Sequence, residues 1–266
     1  MWIVRVNMTD QTWKLEALPE KYRYLAGRAM TSNLVADEVP PLCHPLGPNN
    51  KIVFSPGILA GTPAPTSARV SVGAKSPLTG GIKESNAGTS WACDMGDMNI
   101  RALVFEGQPA DKGKWWGLHL TWDTDAQKPK AEFFDATQYA GKPLQGLFDQ
   151  LHDRYGRNIS ISGTGLAGEH GYSNAGIVYN DEARRATRYS GRGGLGSVLA
   201  SKRVKFIVLD RKGSPGVPVV DKALFDEGRK KMTEALQTHA ITKPQGTLNT
   251  YGTAALINVL NEAGGL

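Results

Sequence analysis

The run Arg188-Tyr189-Ser190-Gly191-Arg192-Gly193-Gly194-Leu195-Gly196-Ser197 constrains this chain more than any other stretch. Four glycines fall within six residues, and glycine both adopts left-handed backbone and lets N–H groups approach a ligand closely. The apolar segment Val198-Leu199-Ala200 that follows predicts a helix, whose N-terminus would add unpaired donors and a partial positive charge. Arg188 and Arg192 bring planar forks suited to gripping phosphate. Residues 188–197 therefore read as a phosphate cradle. The competing reading is a glycine-rich strand-to-helix connection that holds nothing. No Gly-Lys-Ser/Thr triplet closes the run, and its spacing does not match Gly-x-Gly-x-x-Gly in phase with a βαβ unit.

Length sets the frame for that loop. At 266 residues the chain can bury a large core in one domain, with room for a helical appendage. No apolar run is long enough to cross a bilayer, and Met1-Trp2-Ile3-Val4-Arg5 lacks the basic-then-apolar layout of a signal peptide. A cytoplasmic protein with no membrane span is expected. Only Cys43 and Cys93 are present, which excludes a four-cysteine zinc or iron–sulfur site within this sequence. The five histidines are scattered without ligand spacing. A net charge of +6 is too modest to imply nucleic acid, and Lys112-Gly113-Lys114-Trp115-Trp116 reads as strand packing rather than an RNA patch.

Strand and helix patterns divide the chain. Trp2-Ile3-Val4-Arg5-Val6-Asn7-Met8 alternates as a strand, with residues 13–18 as its hairpin partner. A helix is predicted over 20–38, carrying Tyr24, Leu25, Ala29, Leu34 and Val35 on one face and ending before Pro40-Pro41. Residues 51–55, 70–74, 102–106, 117–122, 158–162 and 205–209 read as strands, and 144–155 as a helix. Beyond Arg211-Lys212-Gly213-Ser214-Pro215-Gly216 the chain holds two helices, 221–238 and 251–262, and nothing to close a core around them. The organisation expected is thus a domain over 1–210 and the beginning of a helical second domain over 211–266.

Several blocks in this order resemble the N-terminal domain of the tungsten-containing aldehyde:ferredoxin oxidoreductase family. They are Ile3-Val4-Arg5-Val6-Asn7-Met8-Thr9, Asp37-Glu38-Val39-Pro40-Pro41, Pro45-Leu46-Gly47-Pro48-Asn49-Asn50-Lys51, and Gly57-Ile58-Leu59-Ala60-Gly61-Thr62-Pro63-Ala64-Pro65. Lys75-Ser76-Pro77-Leu78-Thr79-Gly80, Glu84-Ser85-Asn86-Ala87-Gly88, Gly165-Leu166-Ala167-Gly168-Glu169, the glycine run, and Lys243 followed by Tyr251-Gly252-Thr253 complete the series. The resemblance covers the whole chain but only about the first two fifths of a typical family member.

The resemblance implies an α+β fold in which two β-sheets with flanking helices form a cofactor base. It implies a tungstopterin cofactor, two molybdopterins sharing tungsten or molybdenum, with Mg2+ between their phosphates. Carried over by motif, Arg69 and Arg188 would hold phosphates, Asn86, Ala87, Gly88 and Gly191 would line them, and Arg192 would share the cradle. The backbone carbonyls of Asn86 and Tyr189 would ligate magnesium. Taken alone, Asn86-Ala87-Gly88 reads equally as a turn and Arg69 as a surface ion-pair residue.

As family partners, the resemblance implies an aldehyde substrate, a ferredoxin-type electron carrier, and either further domains or a complementary subunit bearing a [4Fe-4S] cluster. The family's Cys-x-x-Cys-x-x-x-Cys run and its acid–base residues near tungsten are absent from this sequence, so no catalytic residue is assigned within it. The chain by itself is expected to be inactive. The alternative is a stand-alone module that binds a pterin or other phosphorylated ligand, or serves assembly. Gly96-Asp97-Met98-Asn99-Ile100-Arg101 departs from the family pattern, and Ser190 stands where alanine is common.

Overall fold

Two six-stranded sheets, each drawn from one contiguous half of residues 1–217, organise the computed structural model, which describes residues 1–266. The first contains β1 (Trp2–Asn7), β2 (Thr12–Ala17), β3 (Ile52–Pro56), β4 (Arg69–Lys75), β5 (Ile82–Gly88) and β6 (Ile100–Glu106), in the order β2-β1-β6-β3-β4-β5. The second contains β7 (Trp116–Asp123), β8 (Lys128–Asp135), β9 (Ser160–Thr164), β10 (Ile177–Asn180), β11 (Ala186–Ser190) and β12 (Val204–Asp210), in the order β11-β10-β9-β12-β7-β8. Only β1 with β6 and β12 with β7 pair in parallel. This is the α+β architecture with two sheets and flanking helices that the family resemblance implies.

Side-chain alternation assigns each sheet two covered faces. In β1, Val4 and Val6 point inward, while Ile3 points outward beneath α1 (Gly27–Glu38) with Met30, Leu34 and Val35. Arg5, on that same outer side, reaches Glu16 at 2.6 Å and Glu38 at 2.5 Å, tying the hairpin to the helix. Between the sheets lie α2 (Ser90–Asp97) and α5 (Leu195–Ser201). Trp91 and Met95 from the first and Leu195, Val198 and Leu199 from the second interleave with Phe54 and Phe105 of one sheet and Leu118, Ile207 and Leu209 of the other. The far face of the second sheet is covered by α3 (Leu147–Tyr155), whose Phe148 and Leu151 meet Phe206 and Val208. The single turn α4 (Leu166–Glu169) follows β9. Each large apolar side chain so buried contributes about 1.5–3 kcal/mol of transfer free energy.

Strands expected around 51–55, 70–74, 102–106, 117–122, 158–162 and 205–209 are present, as is the β1–β2 hairpin. The helix expected over 20–38 is shorter. Glu20–Tyr22 make one 3-10 turn, pinned by the buried Tyr22, whose hydroxyl donates to Asp37 Oδ2 at 2.6 Å. Extended backbone at Ala26 then separates that turn from α1, and Tyr24, placed on the apolar face by the sequence, is exposed. Helix α3 begins at Leu147 rather than Leu144 because Gly146 takes a left-handed conformation in front of it.

The chain forms two compact units, Met1–Thr62 with Thr66–Val217, and Pro63–Pro65 with Pro218–Leu266. The smaller contains α6 (Lys222–Thr238), α7 (Thr247–Tyr251) and α8 (Ile257–Glu262). Asp221 caps α6 by accepting the Leu224 N–H at 2.9 Å, and the pair Glu227–Lys231 supports its exposed side at 2.6 Å. None of these helices contains a buried residue. The second helix expected over 251–262 is interrupted at Gly252, where φ is +58, and resumes through a 3-10 turn into α8.

Candidate functional site

The first and second sheets adjoin along their edge strands β5 and β11. Thr89 Oγ1 donates to the Asn180 carbonyl at 3.0 Å near one end of this seam, and the Arg192 N–H donates to Ser85 Oγ at 3.1 Å near the other. Ser76 Oγ donates to the Gly193 carbonyl at 2.6 Å while accepting the N–H groups of Leu78 and Thr79, each at 3.1 Å. Since Asn180 pairs with Ala186, β11 runs opposite to β5, carrying Arg188 toward the Asn86-Ala87-Gly88 end. The seam thus gathers on one line of the surface the two sequence segments singled out for phosphate binding. Asn86-Ala87-Gly88 is not a turn; it is the last part of β5, paired with Arg69, Val70 and Ser71 of β4.

The four glycines divide by role. Gly193 and Gly194 have φ of +81 and +70, and a Cβ at Gly194 would lie 2.1 Å from the Ser173 carbonyl oxygen. A Cβ at Gly196 would lie 2.2 Å from the Gly176 carbonyl oxygen, and the Gly196 N–H already donates to Ala175 at 2.9 Å. Residues 193–196 are buried. These three glycines therefore serve the close packing of α5, and the helix N-terminus expected to face a ligand is enclosed by protein. Gly191 differs. It is exposed, its φ is not positive, and a Cβ there would meet nothing within 4 Å. Neither backbone geometry nor packing demands glycine at 191. Open space above its backbone is what close approach by a ligand requires.

Around Gly191 the cations lack anionic partners. Arg188 and Arg192 are exposed, and their guanidinium groups make no hydrogen bond or ion pair. Arg69 Nε donates to Asn86 Oδ1, and Asn86 Nδ2 donates to Ser71 Oγ at 2.9 Å, so this arginine is oriented by a neutral amide. Tyr189 is exposed, with its hydroxyl donating to the Ala186 carbonyl at 3.3 Å. Ser190, beneath the loop, shares a hydrogen bond at 3.3 Å with Tyr179, whose phenol is held above its ordinary range by burial. Sequence reasoning did not single out Ser76 and Ser85 for a role here. Both lie in blocks that precede the glycine run by about a hundred residues, and only the fold shows that they anchor it.

Two guanidiniums without carboxylates flanking an open glycine suit a phosphate-bearing anion, and Arg69 stands on β4 beyond β5, paired with Gly88. Edge strands leave alternate carbonyls outside the ladder, which supplies oxygen donors of the kind magnesium takes. No three His, Cys, Asp or Glu side chains come together as a metal site, and Cys43 and Cys93 are free thiols. No helix is long and apolar enough to cross a membrane.

Residues 3–211 match the family model described as aldehyde ferredoxin oxidoreductase, N-terminal domain. Over 265 residues the chain is 34% identical to the tungsten-containing aldehyde ferredoxin oxidoreductase of Pyrococcus abyssi (strain GE5 / Orsay), covering 98% of this chain and 41% of that protein. The Pyrococcus furiosus protein of the same name is 33% identical over 264 residues, with the same shares covered. Among solved structures, the active site complex BamBC of benzoyl coenzyme A reductase in complex with 1,5-dienoyl-CoA matches with a TM-score of 0.79 at 22% identity. That match covers 92% of this chain and 36% of the other. The chain spans 41% of the length of the curated relatives it matches.

Proposed function

This chain belongs to the aldehyde ferredoxin oxidoreductase family, as its N-terminal domain, and we propose from the seam's chemistry that it is the cofactor base of a tungsten or molybdenum bis-pterin oxidoreductase. In this reading Arg69 and Arg188 each grip a pterin phosphate, Arg192 adds a third positive group, and Gly88 and Gly191 let the phosphates reach the backbone. The Asn86 and Tyr189 backbone carbonyls would hold magnesium, being oxygen donors that need no protein carboxylate. When bound, the metal–pterin group supplies two-electron chemistry that would oxidise an aldehyde to a carboxylic acid, with electrons passing to a ferredoxin-type acceptor. This chain's own part is to hold and orient. Its exposed guanidiniums neutralise phosphate charge, and the Arg69–Asn86–Ser71 chain fixes one of them. The cluster, the acid–base groups and the remaining walls of the site would come from outside this chain.

Open space at Gly191, flanked by two arginines free of carboxylates, is the observation that carries this reading. Metal analysis with pterin fluorescence on natively purified protein, with any co-purifying partner retained, tests it. Tungsten or molybdenum with pterin is expected in the wild type, and Arg188→Ala and Arg69→Ala should lose most of both. Full occupancy in both variants would refute the assignment.

A further inference from the structure

Beyond the Ala186 end of β11, away from Gly191, an open cleft of about 950 Å³ is lined by α2, the loop before β9, the β10–β11 turn and the segment after β12. Its size is that of a small-molecule site. The floor is a chain of polar groups. Ser90 and Ser160 share a hydrogen bond at 3.0 Å, and Asp94 lies against Ser160. Arg211 Nε reaches Asp94 at 3.1 Å, and its Nη1 reaches Asp97. One guanidinium thus serves two buried carboxylates, which keep oxygen lone pairs for further donors.

The rim has the opposite character. The side chains of Arg157 and Lys212 have no hydrogen-bond or ion-pair partner, and Arg184 uses only one nitrogen, donating to the Ile159 carbonyl at 3.2 Å. Arg184 is also held at φ +69, a conformation that non-glycine residues seldom adopt. The third carboxylate of the lining, Asp210, accepts the Lys212 backbone N–H at 3.0 Å and forms no ion pair with the rim. Apolar lining is confined to Tyr155, Ile159 and Pro215, too little for an apolar ligand. Positive groups at the rim and acceptors on the floor call for a ligand with an anion at one end and hydroxyl donors at the other.

We propose that this cleft binds a phosphorylated polyol, its phosphate on Arg157, Arg184 and Lys212 and its hydroxyls on Asp94 and Ser90, which the buried Ser160 holds from beneath. The site is separate from the cradle and stands whether or not the cradle takes pterin phosphates. Calorimetric titration of the full chain at neutral pH and low salt tests it, with ribose 5-phosphate, adenosine 5′-monophosphate, inorganic phosphate and ribose as probes. Ribose 5-phosphate should bind about tenfold more tightly than inorganic phosphate, and ribose alone should give no heat.

Arg157→Ala with Lys212→Ala, both at exposed positions, should weaken binding about tenfold. Asp94→Asn should narrow the preference for ribose 5-phosphate over phosphate. Equal or tighter binding of the nucleotide identifies a nucleotide ligand, and weaker binding a free sugar phosphate; either fits the proposal. Absence of binding at millimolar concentrations would overturn it, as would equal affinity for phosphate or indifference to the double variant.

Discussion

Lys202, the residue that ends α5, lies fully buried and forms no ion pair. Its Nζ donates to the carbonyls of Asn50 at 2.6 Å, Gly47 at 3.1 Å and Pro48 at 3.4 Å, binding the 47–50 loop to the C-terminal cap of α5. Lys202→Met keeps the side-chain length but strands those carbonyls, and should destabilise the protein by about 1–3 kcal/mol in urea unfolding. Asp94 offers a pH signature instead. Burial pushes its carboxyl up to about 6, although Arg211 stands beside it. Between 3.8 and about 6 the folded state therefore holds a proton that the unfolded chain has released, so stability falls as pH rises through that window. Melting temperatures across this range should show the slope in the wild type and a flatter profile in Asp94→Asn.

Among the elements, the β11–α5 connection separates packing glycines from one, Gly191, that the fold itself does not require. Gly194→Ala forces a left-handed alanine into the Ser173 carbonyl, and should cost about 1–3 kcal/mol of stability. Gly191→Ala meets open space and should leave the melting temperature nearly unchanged while lowering pterin and tungsten content in the assembled enzyme. Equal thermal losses in the two variants would make Gly191 another packing glycine. The sequence made this loop visible because glycine and arginine are distinctive there.

It made β6 and β12 visible too, because Ala102-Leu103-Val104-Phe105 and Phe206-Ile207-Val208-Leu209 are apolar on both faces. By contrast Ile82-Lys83-Glu84-Ser85-Asn86-Ala87-Gly88 is largely polar, as an edge strand can be, and nothing local distinguishes it from a loop. Which two edges adjoin is a long-range property of both sheets. For that reason neither the partnership of Ser76 and Ser85 with the loop nor the Asp94–Arg211 cleft followed from motif reading.

At the scale of the molecule, residues 218–266 expose Leu224, Val259 and Leu260 and bury none of their helical residues, whereas residues 1–217 contain every core cluster. A chain ending at Val217 should retain the cooperative melt of the whole protein and bind less hydrophobic dye, since exposed positions such as Leu224, Val259 and Leu260 go with the helices. Unchanged dye binding would place the sticky surface elsewhere. Finally, the order of the two sheets along the chain bears on how the protein emerges from the ribosome. A nascent chain released as far as Gly107 already contains all six strands of the first sheet, yet none of the second sheet that closes over α2. Trp91 would then have only half of its final surroundings. Its fluorescence reports the arrival of the second half during synthesis, and a ribosome stalled near that point holds an unfinished greasy surface that a chaperone can recognise.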